Sequence, residues 1–131
     1  MPVRELRLVV TAPDYDEALT FFRDTLGLPV KAVFSSPDGH VTLLDAGRAT
    51  LELMDRANAE FVDEVEVGRR VAGHIRVALE VDDAAAATAV AERAGARVLA
   101  PPTRTPWDSL NARLEAPGGL QLTLFEELSG G

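Results

Sequence analysis

Two stretches of this chain each place an arginine in the middle of an apolar run. In "RELRLVVTAPD", residues 4 to 14, it is Arg7; in "GHIRVALEVDD", residues 73 to 83, it is Arg76. A guanidinium stays charged at any physiological pH and has no lone pair to offer a cation. Its donors form a planar fork that fits a carboxylate, a phenolate or another oxyanion. A charge inside a strand is costly unless it lines a cavity or finds a partner. Two at matching places therefore predict a polar cleft.

Alternation fixes the faces of both strands. In "ELRLVVT" Leu6, Leu8 and Val10 share one side, and Glu5, Arg7, Val9 and Thr11 the other. In "HIRVALEV" Ile75, Val77, Leu79 and Val81 oppose His74, Arg76, Ala78 and Glu80. After the first strand, Asp14 is placed to cap a helix, with Glu17 at the third position of a capping box; Tyr15, Ala18, Leu19, Phe22 and Leu26 follow at helical spacing, and Gly27 stops it. "PVKAVFSS", the turn Pro37-Asp38-Gly39, "HVTLLDA", a turn at Gly47 and "ATLELM" predict three hairpin-linked strands.

The second half repeats the order. Asp82 or Asp83 caps an alanine-rich helix that ends at Gly95. "ARVLAPP", closed by Pro101 and Pro102, then "SLNARLEAP", a turn at Pro117-Gly118-Gly119 and "LQLTLF" predict three more strands. Each half thus reads βαβββ, an α+β class. Aligning them sets Arg7 on Arg76, Gly27 on Gly95, and Glu52 of "TLELM" on Thr123 of "QLTLF". One domain is expected over 1–131: module 1 (3–54), a linker (55–72) and module 2 (73–127). The linker is acidic over Asp63, Glu64 and Glu66, too polar for a core strand, with at most a short helix around Glu60 to Val65. At that length it is expected to cross a dimer interface or to lid the cleft. The tail "ELSGG" is expected to be loose.

The repeat resembles the vicinal oxygen chelate superfamily of glyoxalases, extradiol dioxygenases, fosfomycin resistance enzymes and bleomycin-binding proteins. "VVTAPDYDEALTFFRDTLGLPV" is similar to its opening strand, aromatic-bearing helix and Leu-Gly stop, and "TPWDSLNARLEAPGGLQLTLFEE" to its closing hairpin. The resemblance implies two modules curling a sheet around a cleft, and a homodimer, since open sheet edges invite a second copy. Members that use a metal place His, Gln or Glu at four positions, which here carry Arg7, Glu52, Arg76 and Thr123. Only Glu52 has metal-ligand chemistry, and two guanidiniums repel a cation. No metal and no cofactor are expected.

Two readings of this quartet stand side by side: Glu52 bridges the arginines as a closed ion network, or the arginines grip an anionic ligand. Met54, Phe125 and His74 share the cleft face, each with an alternative role as core or as a satisfied polar group. Trp107, in the loop "TPWD", is either a surface anchor or a rim for a planar ligand. The expected function is a metal-independent small-molecule binding protein that sequesters an antibiotic or an aromatic metabolite. The alternative is a metal-free isomerase or cyclase with Glu52 as general base and an arginine on the developing oxyanion. A metal-dependent glyoxalase-like or dioxygenase-like enzyme, with His74, Glu5 and Glu52 as donors, is disfavoured by the same arginines. The fourth possibility is a degenerate cleft that serves only association.

Composition narrows the remaining classes. A net charge of −8 disfavours nucleic acid, which needs clustered cations. There is no cysteine, hence no disulfide, thiolate site or cysteine nucleophile. No apolar run approaches the roughly 20 residues that span a bilayer. Residues 1 to 12 lack the apolar core of an export signal, so a cytoplasmic location is the default expectation. No Gly-x-Ser-x-Gly elbow or phosphate-cradling glycine loop occurs.

Overall fold

Asp14, with extended backbone, accepts a hydrogen bond from the Glu17 amide at 3.0 Å and starts the first helix. The computed structural model describes residues 2–25, 27–71, 73–116 and 119–128. Leu26 of the expected first helix, Pro117-Gly118 of the last turn and Ser129–Gly131 of the tail lie outside the described residues. The strands are β1 (Glu5–Thr11), β2 (Val30–Ser35), β3 (His40–Ala46), β4 (Ala49–Met54), β5 (Ile75–Glu80), β6 (Arg97–Arg104), β7 (Ser109–Glu115) and β8 (Gln121–Glu127). The helices are α1 (Tyr15–Leu19), continued by a wider π-helical segment Thr20–Thr25, α2 (Arg56–Glu66) and α3 (Ala84–Arg93). Asp83, not Asp82, caps α3 by accepting from the Ala86 amide. Gly27 and Gly95 adopt left-handed φ values of 75° and 111°, as the predicted helix stops require.

All eight strands form one sheet in the order β2-β3-β4-β1-β5-β8-β7-β6. The order is the same read outward from β1 or from β5, so the internal repeat of the sequence is a structural repeat. The modules join through the antiparallel β1–β5 pair, while β1–β4 and β5–β8 are parallel. Alternation then sorts residues between two faces. Ala112, Leu114 and Leu124 pack under α3 against Ala84 and Ala87, whose small side chains let the helix approach closely. Each fully buried leucine there contributes about 1.5–3 kcal/mol. Val9, Val41, Leu43, Met54, Ala78 and Phe125 form a second core on the opposite face, against Ala59 of α2.

Two expectations need correction. β6 does not stop at Pro101 and Pro102 but runs through them to Arg104. It is an edge strand, and its register with β7 slips between Val98 and Ala100 and again before Thr103, so the missing amides cost no ladder bond. The stretch 55–72 is not mainly linker. It holds an 11-residue helix capped by Asp55, which accepts from the Asn58 amide at 2.8 Å. Asp63 and Glu66, two of the acids that made it look too polar for a core strand, are buried in that helix.

Candidate functional site

The face of the sheet under α2 holds a half-open cavity of about 700 Å³. Arg7, Glu52, Arg76 and Thr123 all line it, together with Phe125 and Trp107. Register explains the convergence. Val9 pairs with Glu52 on β4 and with Arg76 on β5, while Ala78 pairs with Arg7 on β1 and with Thr123 on β8. Two adjacent cross-strand rows therefore bring the four repeat-related positions onto the cavity floor.

The closed network, one of the two readings of the quartet, does not form among them. Arg7 turns to Glu5, donating from Nε at 3.1 Å and from a terminal nitrogen at 3.3 Å, and its guanidinium lies 4.7 Å from the Phe125 ring centroid. Glu5 also accepts from Thr50 and from Lys31. Burial alone would raise the Glu5 carboxyl, but these donors overcome it and hold the group at about 2. Arg76 is 6% exposed and donates to the Thr123 hydroxyl at 2.7 Å. No carboxylate of the described residues lies within ion-pair distance of Arg76. Burial pushes its guanidinium down from the ordinary value, and the charge of Arg113 adds to that.

Glu52 makes no hydrogen bond or ion pair with any described residue. Its side chain is half-buried and lines the cavity. Burial pushes its pKa up, against the pull of Arg76 and Arg7. One floor thus carries a buried cation short of an anionic partner and a carboxyl inclined to keep its proton.

Sequence reasoning missed a third cluster. Arg113 on β7 is fully buried and donates at 2.9 Å to Asp63 and at 2.9 Å to Glu66, both on α2. Glu66 accepts a second bond, at 2.8 Å, from Asn111, whose side-chain oxygen accepts from Ser109 at 2.6 Å; Ser109 in turn meets Thr105 at 2.8 Å. Asp63 also accepts from Arg70 and from the Val71 amide. Removing one member of such a buried ion cluster costs roughly 3–5 kcal/mol, because its partners are left charged and unmatched. A signal was present. "SLNAR" alternates Ser109, Asn111 and Arg113 on one side, and Asp63 and Glu66 are three apart on one helix face. A polar strand face normally means solvent; here it faces a helix.

The other candidates separate. Trp107 stands at the cavity mouth, 38% exposed, with its ring 6.4 Å from that of Phe61 on α2. Met54 shares the parity of Glu52 but is packed into the core beside Val9 and Val41 and does not line the cavity, which corrects the expectation that it contacts ligand. His74 is a second correction: it sits just before β5, exposed, with Nδ1 2.8 Å from the Thr11 carbonyl oxygen, and lines a separate cleft of about 260 Å³. Beyond the strand the chain has left the cavity floor.

The donor set does not fit a divalent cation. The four positions offer one carboxylate and one hydroxyl against two guanidiniums, and among the described residues no three His, Asp or Glu side chains gather as a metal site. Among the described residues no helix is long and apolar enough to cross a membrane.

The profile of the Glyoxalase/Bleomycin resistance protein/Dioxygenase superfamily matches residues 6–124, and the chain belongs to that superfamily. Its fold is similar to a variant of Streptomyces coelicolor methylmalonyl-CoA epimerase in complex with 2-nitronate-propionyl-CoA, at TM-score 0.68 and 21% identity, covering 96% of this chain and 99% of that one. A hypothetical protein from Bacillus halodurans C-125 matches at TM-score 0.68 and 16% identity over 96% and 94% of the two chains. A glyoxalase/bleomycin resistance protein/dioxygenase superfamily member from Vibrio splendidus 12B01 matches at 0.65 and 14%, over 94% and 98%. At these identities the likeness is one of fold. No curated protein matches the chain.

Proposed function

We propose that this protein binds a small organic ligand, with a flat apolar body and an anionic oxygen at one end, without a metal. The observation that carries this reading is Arg76: a buried guanidinium on a cavity floor, held by Thr123 and lacking a carboxylate partner. An oxyanion entering the cavity gains a charge-assisted fork from a guanidinium that is itself buried. Glu52, whose pKa burial raises against the pull of Arg76 and Arg7, lines the same cavity. Phe125 on the floor and Trp107 at the mouth supply ring faces for the body of the ligand. Aromatic metabolites and antibiotics with an acidic or phenolic group have this form.

A thermal-shift titration with naphthoate and its neutral match naphthamide tests the reading. Wild type is expected to be stabilised more by naphthoate, by mass action on the folded state, and Arg76→Met to lose that preference. Equal shifts with both compounds, or none, would overturn it.

Glu52 favours a second reading. An unpartnered carboxyl with a raised pKa, sharing a half-open cavity with a buried cation, has the makings of a general acid–base group, with Arg76 stabilising the enolate formed. Solvent deuterium incorporated into a bound carbonyl acid, lost in Glu52→Gln while binding persists, would make the protein an enzyme of isomerase or cyclase type.

A homodimer belongs to the same proposal. Leu6, Leu8 and Ile75, with Val77 and Leu79, form an apolar strip on the sheet face away from the cavity, where β1 meets β5. Sedimentation of wild type against Leu8→Glu checks it, a monomer in both cases telling against the dimer.

A further inference from the structure

Glu66 lines the same cavity as Arg76, and Glu66 and Asp63 are both close enough for their charges to act on its guanidinium. Arg76 nevertheless forms no ion pair with either. The reason is that both acids are already taken. Arg113 holds Glu66 Oε1 and Asp63 Oδ1, Asn111 holds Glu66 Oε2, and Arg70 and the Val71 amide hold Asp63 Oδ2.

We infer that Arg113 sets the ligand charge preference of the cavity: by holding Asp63 and Glu66 of α2 it keeps Arg76 without an anionic partner and open to a ligand's oxyanion. This inference rests on the proposed anion-binding role of Arg76. Arg113 itself is fully buried and does not line the cavity, so it touches no ligand. Without it, Glu66 would keep only the neutral Asn111 donor, and Arg76, on which its charge already acts, shares its cavity. An Arg76–Glu66 pair would fill the site from within. The same fork explains why acids on a helix over a cationic floor do not quench it.

The test measures the ratio of naphthoate to naphthamide affinity in the full-length protein, with circular dichroism and melting confirming folding. In Arg113→Met the ratio is expected to fall by roughly tenfold, the cost of one strong ionic contact. Arg113→Met combined with Glu66→Gln is expected to regain most of it, since the carboxylate that would capture Arg76 is gone. A merely structural role for Arg113 would lower both affinities together and leave the ratio unchanged. Should Arg113→Met not fold, Glu66→Gln alone carries the test: Arg113 then has one acid fewer to neutralise it, and the ratio is expected to rise. A ratio unchanged in folded Arg113→Met, or lowered in Glu66→Gln, overturns the inference. Wild type without preference for naphthoate would instead defeat the proposed function, and the two failures are distinguishable.

Discussion

Glu52 and Arg76 lie in one cross-strand row with Val9 between them, and they do not pair. Two strand spacings separate their backbones by roughly 10 Å. Arg76 uses its reach toward Thr123 on β8, on the side away from β4. The charges still feel each other across the cavity, which is why Arg76 pulls on the Glu52 titration without closing on it.

Glu52 predicts a stability that declines with pH. Its folded carboxyl holds a proton to higher pH than the ordinary 4.5, because burial disfavours the anion. The stability linked to it is full below the ordinary value and is lost as pH rises through the raised one. Glu52→Gln should lack this slope and melt above wild type at neutral pH. Melting curves from acid to neutral pH for both proteins check it; parallel curves would refute it.

Glu5 has the opposite sign. Its carboxyl is held at about 2 against an ordinary 4.5, since the bonds from Arg7, Thr50 and Lys31 outweigh its burial. That contribution is present above the ordinary value and lost as pH falls toward 2. Glu5→Gln is expected to flatten the acid limb of the stability curve and to weaken the hold on Arg7. Urea unfolding at several acidic pH values measures it.

Trp107 reports on the cavity mouth. It is the single tryptophan, and its ring stands beside Phe61 at the cavity rim. Binding of a flat ligand should change its fluorescence, and Trp107→Ala should weaken an aromatic ligand by about 0.5–1.5 kcal/mol beyond lost area. A titration giving no spectral change with a bound aromatic would place the ligand elsewhere.

Gly39 fixes the docking of the β2–β3 turn against α2. A Cβ there would lie 2.4 Å from the Asn58 backbone nitrogen and 2.7 Å from its Cα. The turn also depends on Asp55, which accepts from the His40 amide while capping α2. Gly39→Ala must push turn and helix apart, at an expected cost of about 1–3 kcal/mol. Chemical denaturation measures it, and an unchanged midpoint would mean that the contact gives way easily.

Much of the architecture was legible because it depends on local alternation and on repetition. Period-two patterning set which side of β1 and β5 carries the arginines, and Asp14, Gly27 and Gly95 punctuated the helices by rules that act over a few residues. Alignment of the halves matched Arg7 with Arg76 and Glu52 with Thr123, and the resemblance to the superfamily grouped the four; all of them line the one cavity.

The partners of those residues were decided only by the tertiary structure. Whether Glu52 bridges the arginines depends on strand order and register, which place Val9 between Glu52 and Arg76 and bring Lys31 and Thr50 to Glu5. Whether Asp63 and Glu66 face water depends on Arg113, 50 and 47 residues further along. Met54 and His74 satisfy the same parity as the cavity residues, yet the ends of β4 and β5 lie beyond the floor. Patterning along the chain tells which way a side chain points; what it meets there is set by strands and helices far away in sequence.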